Sequence, residues 1–404
     1  LKQLTVSAGA QAVGSENVRV HRFDPAYLLS RGKCVELAGL AHAQDATGVI
    51  FDDDLTPAQQ RNLEQLFELK VLDRPAVILD IFARRAKTRE GKLQVELAQL
   101  NYLMPRLKGK GLMLSRLGGG IGTRGPGETK LEVDRRKIKE RIRTLERELK
   151  RVRKYREVQR KSRLRRHLPG VAIIGYTNSG KSTLLNTLTN AGVLVEDHLF
   201  ATLDPTARKL VLAGGTAAVF IDTVGFINKL PPTLVAAFRA TLEEITYADL
   251  LLHMVDVSLP DCEQQITVTE GVLRELNAHE KAAIIVWNKI DLLPDRIMLN
   301  RLLRSHAPSV AISAKTGEGL DDLLRMTEAH LTASFEHVVL RIPYNQFSML
   351  EALRNRAKIL ELRYDERDMR IEALVPSDLA QELRIGTQRS TLGAEGTDSY
   401  GGIK

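Results

Sequence analysis

The stretch "VAIIGYTNSGKSTLLNTLT" at residues 171–189 decides how the chain is read. Its centre, "GYTNSGKST" at 175–183, fits G-x-x-x-x-G-K-[ST]. An apolar run precedes it and a helical pattern follows, which is the strand–loop–helix setting of a phosphate-binding loop. Gly175 and Gly180 let the backbone wrap close to phosphate, and the amides from Tyr176, Thr177, Asn178 and Ser179 onward point inward near a helix N-terminus. In this setting Lys181 reaches β- and γ-phosphates, Ser182 holds Mg²⁺, and Thr183 completes the motif.

Downstream, further runs of the same kind follow in order: "AAVFID", "LLLHMVD", "AIIVWNK" and "SVAIS". Near-continuous apolar strands belong to parallel sheets covered on both faces, so 168–334 is read as an α/β nucleotide-binding domain. "FIDTVG" puts Asp222 at a strand end, where it organises the Mg²⁺ shell, and Gly225 where its amide meets a γ-phosphate. "NKID" at 288–291 follows a strand. The Asp291 carboxylate can accept from both guanine N1–H and the 2-amino group, and adenine lacks that pair of donors. Asn288 and Lys289 brace the loop and cover the ring, while "SAK" (Ser313, Ala314, Lys315) supplies an amide to guanine O6. Four ordered motifs predict a GTPase. Between the phosphate loop and Asp222, "HLFATLDPTARK" holds two hydroxyls, Thr202 and Thr206, that could read the metal in the triphosphate state; spacing leaves both open.

The rest of the chain brackets this domain. Residues 1–90 alternate short apolar runs ("VRVHRF", "GVIFDD") with helical patterns. In "TPAQQRNLEQLFEL", Thr56 is set as N-cap and Pro57 at the first helical position, so a small parallel α/β domain is expected. Over 91–167, Leu93, Leu97, Leu100, Met104 and Leu107, then Ile138, Ile142, Leu145, Leu149 and Val152, recur at intervals of three and four. That spacing predicts an antiparallel helical hairpin, with Pro105 closing the first arm. Residues 335–385 are read as a small α+β domain containing a helix near 345–357, and 386–404 as a disordered polar tail.

Charge is concentrated. Between Leu131 and Arg166 stand 17 Lys/Arg against 6 Asp/Glu, in a chain whose net charge is +9, which leaves the remainder slightly negative. Such a segment suits a polyanionic partner. No run of eighteen apolar residues exists, so no membrane span is expected. Cys34 and Cys262 form no CxxC pair, which fits a reducing, cytosolic setting. The opening "LKQLTVSAGA" lacks the regions of a secretory signal, and since it does not begin with Met, a missing N-terminal piece is expected.

The segment "GGGIGTRGPGETKLEVDRR" resembles the signature of the HflX family of translational GTPases, and "GKLQVELAQL", "LFATLDPT" and "DTVGFI" support the likeness over roughly residues 1–335. The resemblance assigns the metal-reading hydroxyl to Thr202, and Lys181, Thr202 and Gly225 to catalysis. It implies cytoplasmic, ribosome-associated action as a monomer off the ribosome. It further implies binding to the large (50S) subunit and its rRNA, and splitting or rescue of stalled and idle ribosomes under stress. The basic hairpin then lies along rRNA through Arg135, Arg136, Arg141, Arg143, Arg151, Arg153 and Arg156. The tip residues Gly118, Gly119, Gly120, Arg124 and Gly125 conform to an RNA pocket.

Phe226 stands where many signalling GTPases carry a water-orienting Gln, which predicts slow intrinsic turnover stimulated by the partner. Asn178 is either a loop-stabilising amide or, as in some related GTPases, a K⁺ ligand. Three other readings compete: a tRNA-modification GTPase, for which no C-terminal cysteine speaks; a switch docking on a protein complex, for which the hairpin face is too basic; and an RNA-remodelling factor with additional ATP binding in the N-terminal domain, where "SRGKCVEL" lacks full phosphate-loop spacing.

Overall fold

The computed structural model describes residues 1–107, 130–165, 168–189, 200, 206–227, 242, 244–333, 335–344, 349–350, 353, 357–365, 367–376 and 379–380, with backbone only at 130, 131, 153 and 155–165. Thr202, Gly118, Gly119, Gly120, Arg124, Gly125 and residues 386–404 lie outside the described residues.

The N-terminal region carries α1 (Lys2–Ser7), α2 (Arg31–Ala43), β1 (Gly48–Phe51), α3 (Pro57–Phe67), β2 (Lys70–Asp73) and α4 (Arg74–Arg85). Its two strands pair in parallel. Thr56 caps α3 through a reciprocal pair of bonds: its hydroxyl accepts from Gln59 N at 3.2 Å, and Gln59 Oε1 accepts from Thr56 N at 3.0 Å. The expected strand "VRVHRF" does not form. Asp24, just beyond it, turns the chain by accepting from the Ala26 and Tyr27 amides, and Val18 and Val20 only pack against the core of α2 and α3. Apolar alternation there serves side-chain packing without a neighbouring strand to complete a ladder.

Helices α5 (Arg89–Arg106) and α6 (Lys130–Arg165) form the hairpin. Arg89 pairs with Glu148 and Arg141 with Glu96, so sequence rises on one arm as it falls on the other, and the arms are antiparallel. Leu93, Leu145 and Leu149 are buried between them, with Leu97 and Leu100 at the margin. Pro105 sits inside the last turn, where it offers no amide to the turn before it; the helix runs on to Arg106 and the Leu107 amide donates to Leu103 O. Arg106 anchors that end. It reaches buried Asp73 at 2.9 Å, donates to Leu55 O and Gln60 Oε1, and stacks over the Tyr102 ring at 3.5 Å.

The central sheet contains β3 (Gly170–Gly175), β4 (Thr206–Val211), β5 (Ala217–Asp222), β6 (Leu250–Asp256), β7 (Ala283–Asn288) and β8 (Ser309–Ala311), ordered β4-β5-β3-β6-β7-β8. All neighbours are parallel except β4, which pairs antiparallel with β5. β4 is an edge strand with a mostly exposed pattern, so no apolar alternation announced it. Helices α7 (Lys181–Thr189), α8 (Cys262–Glu275), α9 (Ile297–Ser305) and α10 (Leu320–Thr332) flank the sheet. Ile173, Phe220, Leu252 and Val286 fill one side; Ala172, Ile174 and Leu251, with Val255 and Trp287 further along, fill the other.

Beyond it, β9 (Glu336–Pro343), β10 (Lys358–Tyr364) and β11 (Asp368–Val375) make an antiparallel sheet ordered β10-β11-β9. Its inner face packs on Leu350, Leu353, Leu379 and Ala380. Of the expected helix near 345–357, Met349, Leu350 and Leu353 are helical, and 345–348, 351–352 and 354–356 lie outside the described residues. No helix among the described residues is long and apolar enough to cross a membrane, and both cysteines are free and buried.

Candidate functional site: a phosphate loop and base-recognition loops at the sheet edge

Parallel strands deliver their C-terminal ends to one edge of the sheet, and the loops beyond β3, β5, β7 and β8 meet there. The loop 175–180 leaves β3 and turns into α7. Gly180 has φ +94°, and a Cβ there would lie 2.2 Å from Asn288 Nδ2. Only glycine allows the loop to close on the base-recognition strand. Gly225 is pinched in the same way, since its Cβ would meet Thr177 Cα at 2.9 Å and Lys181 Nζ at 3.0 Å.

Lys181 is buried and donates to the carbonyls of Gly175 (3.1 Å) and Tyr176 (2.7 Å). Burial depresses its pKa to about 8, and Asp222 pulls it back up. A cation held this way is short of anionic neighbours and gains from a phosphate. The hydroxyls of Thr177 and Ser179, beside it in the loop, are buried without a hydrogen-bond partner among the described residues. Ser182 Oγ donates to Asp222 Oδ2 at 2.7 Å. This pairing of hydroxyl and carboxylate oxygens is the donor set of a hard divalent ion such as Mg²⁺.

Asp222 ends β5, and the chain beyond it is stitched to the phosphate loop. Phe226 N donates to Gly175 O (3.0 Å) and Thr177 N to Phe226 O (2.7 Å). The Phe226 ring is 2% exposed and packs with Leu242, Ile245 and Leu273, so it fills the core. Thr223 Oγ1 fastens this turn to Ile173 O at 2.7 Å.

At the other end, Asn288 bridges two loops. Its Nδ2 donates to Ser179 O at 2.8 Å, and its Oδ1 accepts from Ala314 N at 2.9 Å. Asp291 is exposed, and the Ser313 hydroxyl donates to its Oδ1 at 2.7 Å, which fixes the carboxylate plane. Lys289 adopts φ +68° and pairs with Asp256 at 2.7 Å; Lys315 is exposed. Two supports were absent from the sequence reading. Asp256, at the end of "LLLHMVD", holds Lys289, and its position at a strand terminus was the available signal. Thr187 Oγ1 holds Ala314 O at 2.7 Å, and a mid-helix Thr gives no signal at all. Asn178 is exposed at φ +63°, and Thr206 begins β4, paired with Asp222 in the ladder.

The site is roofed by the N-terminal region. Val77, Ile78, Ile81 and Phe82 of α4 and Val95 and Ala98 of α5 share one core with Phe200, Val224 and Ile227, and Tyr176 packs against it. The Phe82 and Phe200 rings meet at 4.6 Å, nearly edge to face, with Phe200 at φ +58°.

Of the hairpin arginines, Arg136, Arg143 and Arg151 are exposed and Arg135 is half-buried; Arg141 forks onto Glu96 at 2.6 and 2.7 Å. The side chains of Arg153 and Arg156 lie outside the described residues.

A phosphate loop, an Asp-ended strand and an Asn-Lys-x-Asp loop on one parallel sheet define a P-loop GTPase, an enzyme that hydrolyses GTP. Three family descriptions match in succession: GTP-binding GTPase N-terminal over residues 1–83, GTP-binding GTPase Middle Region over 85–163, and 50S ribosome-binding GTPase over 170–289. Among curated relatives, GTPase HflX of Caldanaerobacter subterraneus subsp. tengcongensis is 49% identical over 384 residues, 95% of this chain and 88% of the relative. GTPase HflX of Escherichia coli K12 is 42% identical over 97% of this chain and 92% of its own length. A solved GTP-binding protein from Sulfolobus solfataricus in complex with GDP is 23% identical and matches with a TM-score of 0.44, covering 82% of this chain and 94% of that one. The chain belongs to the HflX family of GTPases.

Proposed function

We propose that this GTPase acts on the ribosome: it binds the large subunit and its rRNA through the basic hairpin, splits or rescues stalled and idle particles, and resets by hydrolysing GTP. The observation that carries this reading is the α5–α6 hairpin. Its arms are locked together by Leu93, Leu145 and Leu149. It offers exposed Arg136, Arg143 and Arg151 to solvent, and its arms are joined by the glycine-rich segment. A rigid basic rod that neutralises phosphates binds RNA with a steep salt dependence. The description 50S ribosome-binding GTPase, matched over 170–289, and the HflX relatives agree with it.

In this reading each side chain of the site has one task. Lys181 exchanges its two carbonyl partners for β- and γ-phosphate oxygens. The amides of the 175–183 loop line the phosphates, and the Gly225 amide meets the γ-phosphate. Ser182, Asp222 and Thr202 would hold Mg²⁺, which when bound would neutralise charge on the nucleotide phosphates. Asp291, held by Ser313, accepts from the guanine edge; Asn288 keeps the phosphate and base loops in register; Lys289 and Lys315 flank the ring and the Ala314 amide faces guanine O6. Phe226 leaves the position of a water-orienting side chain apolar, so hydrolysis in the free protein is slow and the ribosome supplies the ordering. Asn178 would serve as a ligand if K⁺ binds beside the phosphates and otherwise stabilises the loop as an amide; equal turnover in K⁺ and Na⁺ would remove the K⁺ role.

The test is GTP turnover with and without purified large subunits at low and moderate salt, together with sedimentation of intact ribosomes in the presence of GTP. Stimulation that fades as salt rises, and conversion of intact ribosomes to subunits, are the expected results. Turnover indifferent to ribosomal particles would leave the GTPase intact and remove its partner.

A further inference from the structure

The outer face of the C-terminal sheet carries an arrangement that folding alone does not favour. Arg370 on β11 is directly opposite Arg341 on β9 and Arg363 on β10, so three arginines form one row across three strands. All three are exposed, while their neighbours Ile342, Met369 and Ile371 point into the core. Strand spacing of about 4.8 Å puts the outer two roughly 10 Å apart at Cα. Like charges directly opposite one another in a ladder are destabilising. Arg370 stands on the central strand, where a charge does not serve to block edge pairing. Among the described residues, Arg341 and Arg370 have no carboxylate partner. Arg363 is held by exposed Glu361, and Glu372, opposite Glu361 in the ladder, is taken by His337 at 2.8 Å. Exposed Arg367, in the turn between β10 and β11, is flanked by Asp365 and Asp368 and so adds no net positive charge to the row.

We propose that this sheet face is a second RNA-binding surface, with Arg341, Arg370 and Arg363 gripping successive phosphates of one strand. The guanidinium fork suits phosphate oxygens, and a row of three at strand spacing fits an extended polyanion better than a single ion. An open antiparallel sheet with its other face packed on a small core is a rigid platform for RNA. The assignment rests on the ribosomal reading and adds a contact far along the chain from the hairpin.

The test uses the full chain and two probes, deproteinised large-subunit rRNA and intact large subunits, with affinity measured across a salt series. The sheet variant replaces Arg341, Arg363 and Arg370 by Gln; a hairpin variant carries Arg143→Gln and Arg151→Gln. Each lost phosphate contact lowers the slope of log affinity against log salt by about 0.7–0.9. The sheet variant is therefore expected to lose about 2.1–2.7 units of slope on both probes, and the hairpin variant to lose slope independently. The single Arg370→Thr variant, which relieves the repulsion, is expected to weaken rRNA binding while its melting temperature stays level or rises; a purely structural arginine would lower it. A sheet variant with wild-type slope, alongside a weakened hairpin variant, overturns this proposal and leaves the ribosomal reading standing. Loss on intact subunits but not on bare rRNA also overturns it, because the partner is then an acidic protein. A wild-type chain that binds neither probe removes both readings.

Discussion

Lys181 is the residue at which burial and charge conflict most sharply. Its folded pKa of about 8 lies below the ordinary 10.5. Its cost to the nucleotide-free fold is therefore fully present below about pH 8 and is relieved as pH rises from there to 10.5. Nucleotide phosphates restore the ordinary value, so binding of GDP near pH 8.5 is expected to take up a proton. Calorimetry in buffers of different ionisation enthalpy reads this directly, and identical heats would contradict it. Lys181→Met is expected to abolish measurable hydrolysis. Behind it, His253 is buried and shifted down to about 4, by burial first and then by the Lys181 charge. The unfolded chain binds the His253 proton from pH 6.5 downward while the fold does not, so stability contributed by this residue is lost as pH falls from 6.5 toward 4. His253→Leu is expected to flatten the acid limb of a stability–pH curve. Asn288→Ala removes two bonds between loops and strands a buried carbonyl and amide; weakening of GDP binding by about 2–3 kcal/mol is expected, on the scale of unsatisfied buried groups.

At the scale of elements, the hairpin shows which interactions matter. The Arg141–Glu96 fork has good geometry, yet both side chains are substantially exposed, so solvent screening leaves the pair a minor tie. Leu145 is fully buried between the arms. Leu145→Ala is expected to cost about 2–5 kcal/mol by creating a cavity, and Glu96→Gln far less. Hydrogen exchange along 93–106 and 138–149 separates the two; comparable opening in both variants would contradict the seam as the main tie. The Leu period was legible because a helix must repeat its buried face every three or four residues. The β4 edge was not, because a strand paired on one side only has no apolar face to repeat, and "VRVHRF" had the pattern but no partner strand.

At the scale of the whole molecule, the N-terminal region is packed directly on the nucleotide end of the sheet. Phe82 meets Phe200, the described residue closest in sequence to Thr202, while Val224 and Ile227 flank the Gly225 turn. Anything that moves Phe200 must repack α4. Phe82→Ala is expected to destabilise the fold by about 3–5 kcal/mol and to change the GTP turnover rate, although Phe82 is not part of the nucleotide site. Unchanged turnover in a folded variant would show the two regions to be uncoupled. From the sequence alone came the phosphate loop, the succession of apolar strands along the chain, the Asp-ended β5, the Asn-Lys-x-Asp loop and the basic run of α6. Each depends on residues close together in the chain, bound by local backbone geometry or helical period. Tertiary structure alone decided that Asn288 joins the phosphate loop to Ala314, that Asp256 holds Lys289, that Phe226 turns into the core, that three arginines align across β9, β11 and β10, and that α4 roofs the site. Most of those pairings join residues tens to more than a hundred positions apart, and sequence periodicity specifies which face a residue takes but not which distant residue it meets there.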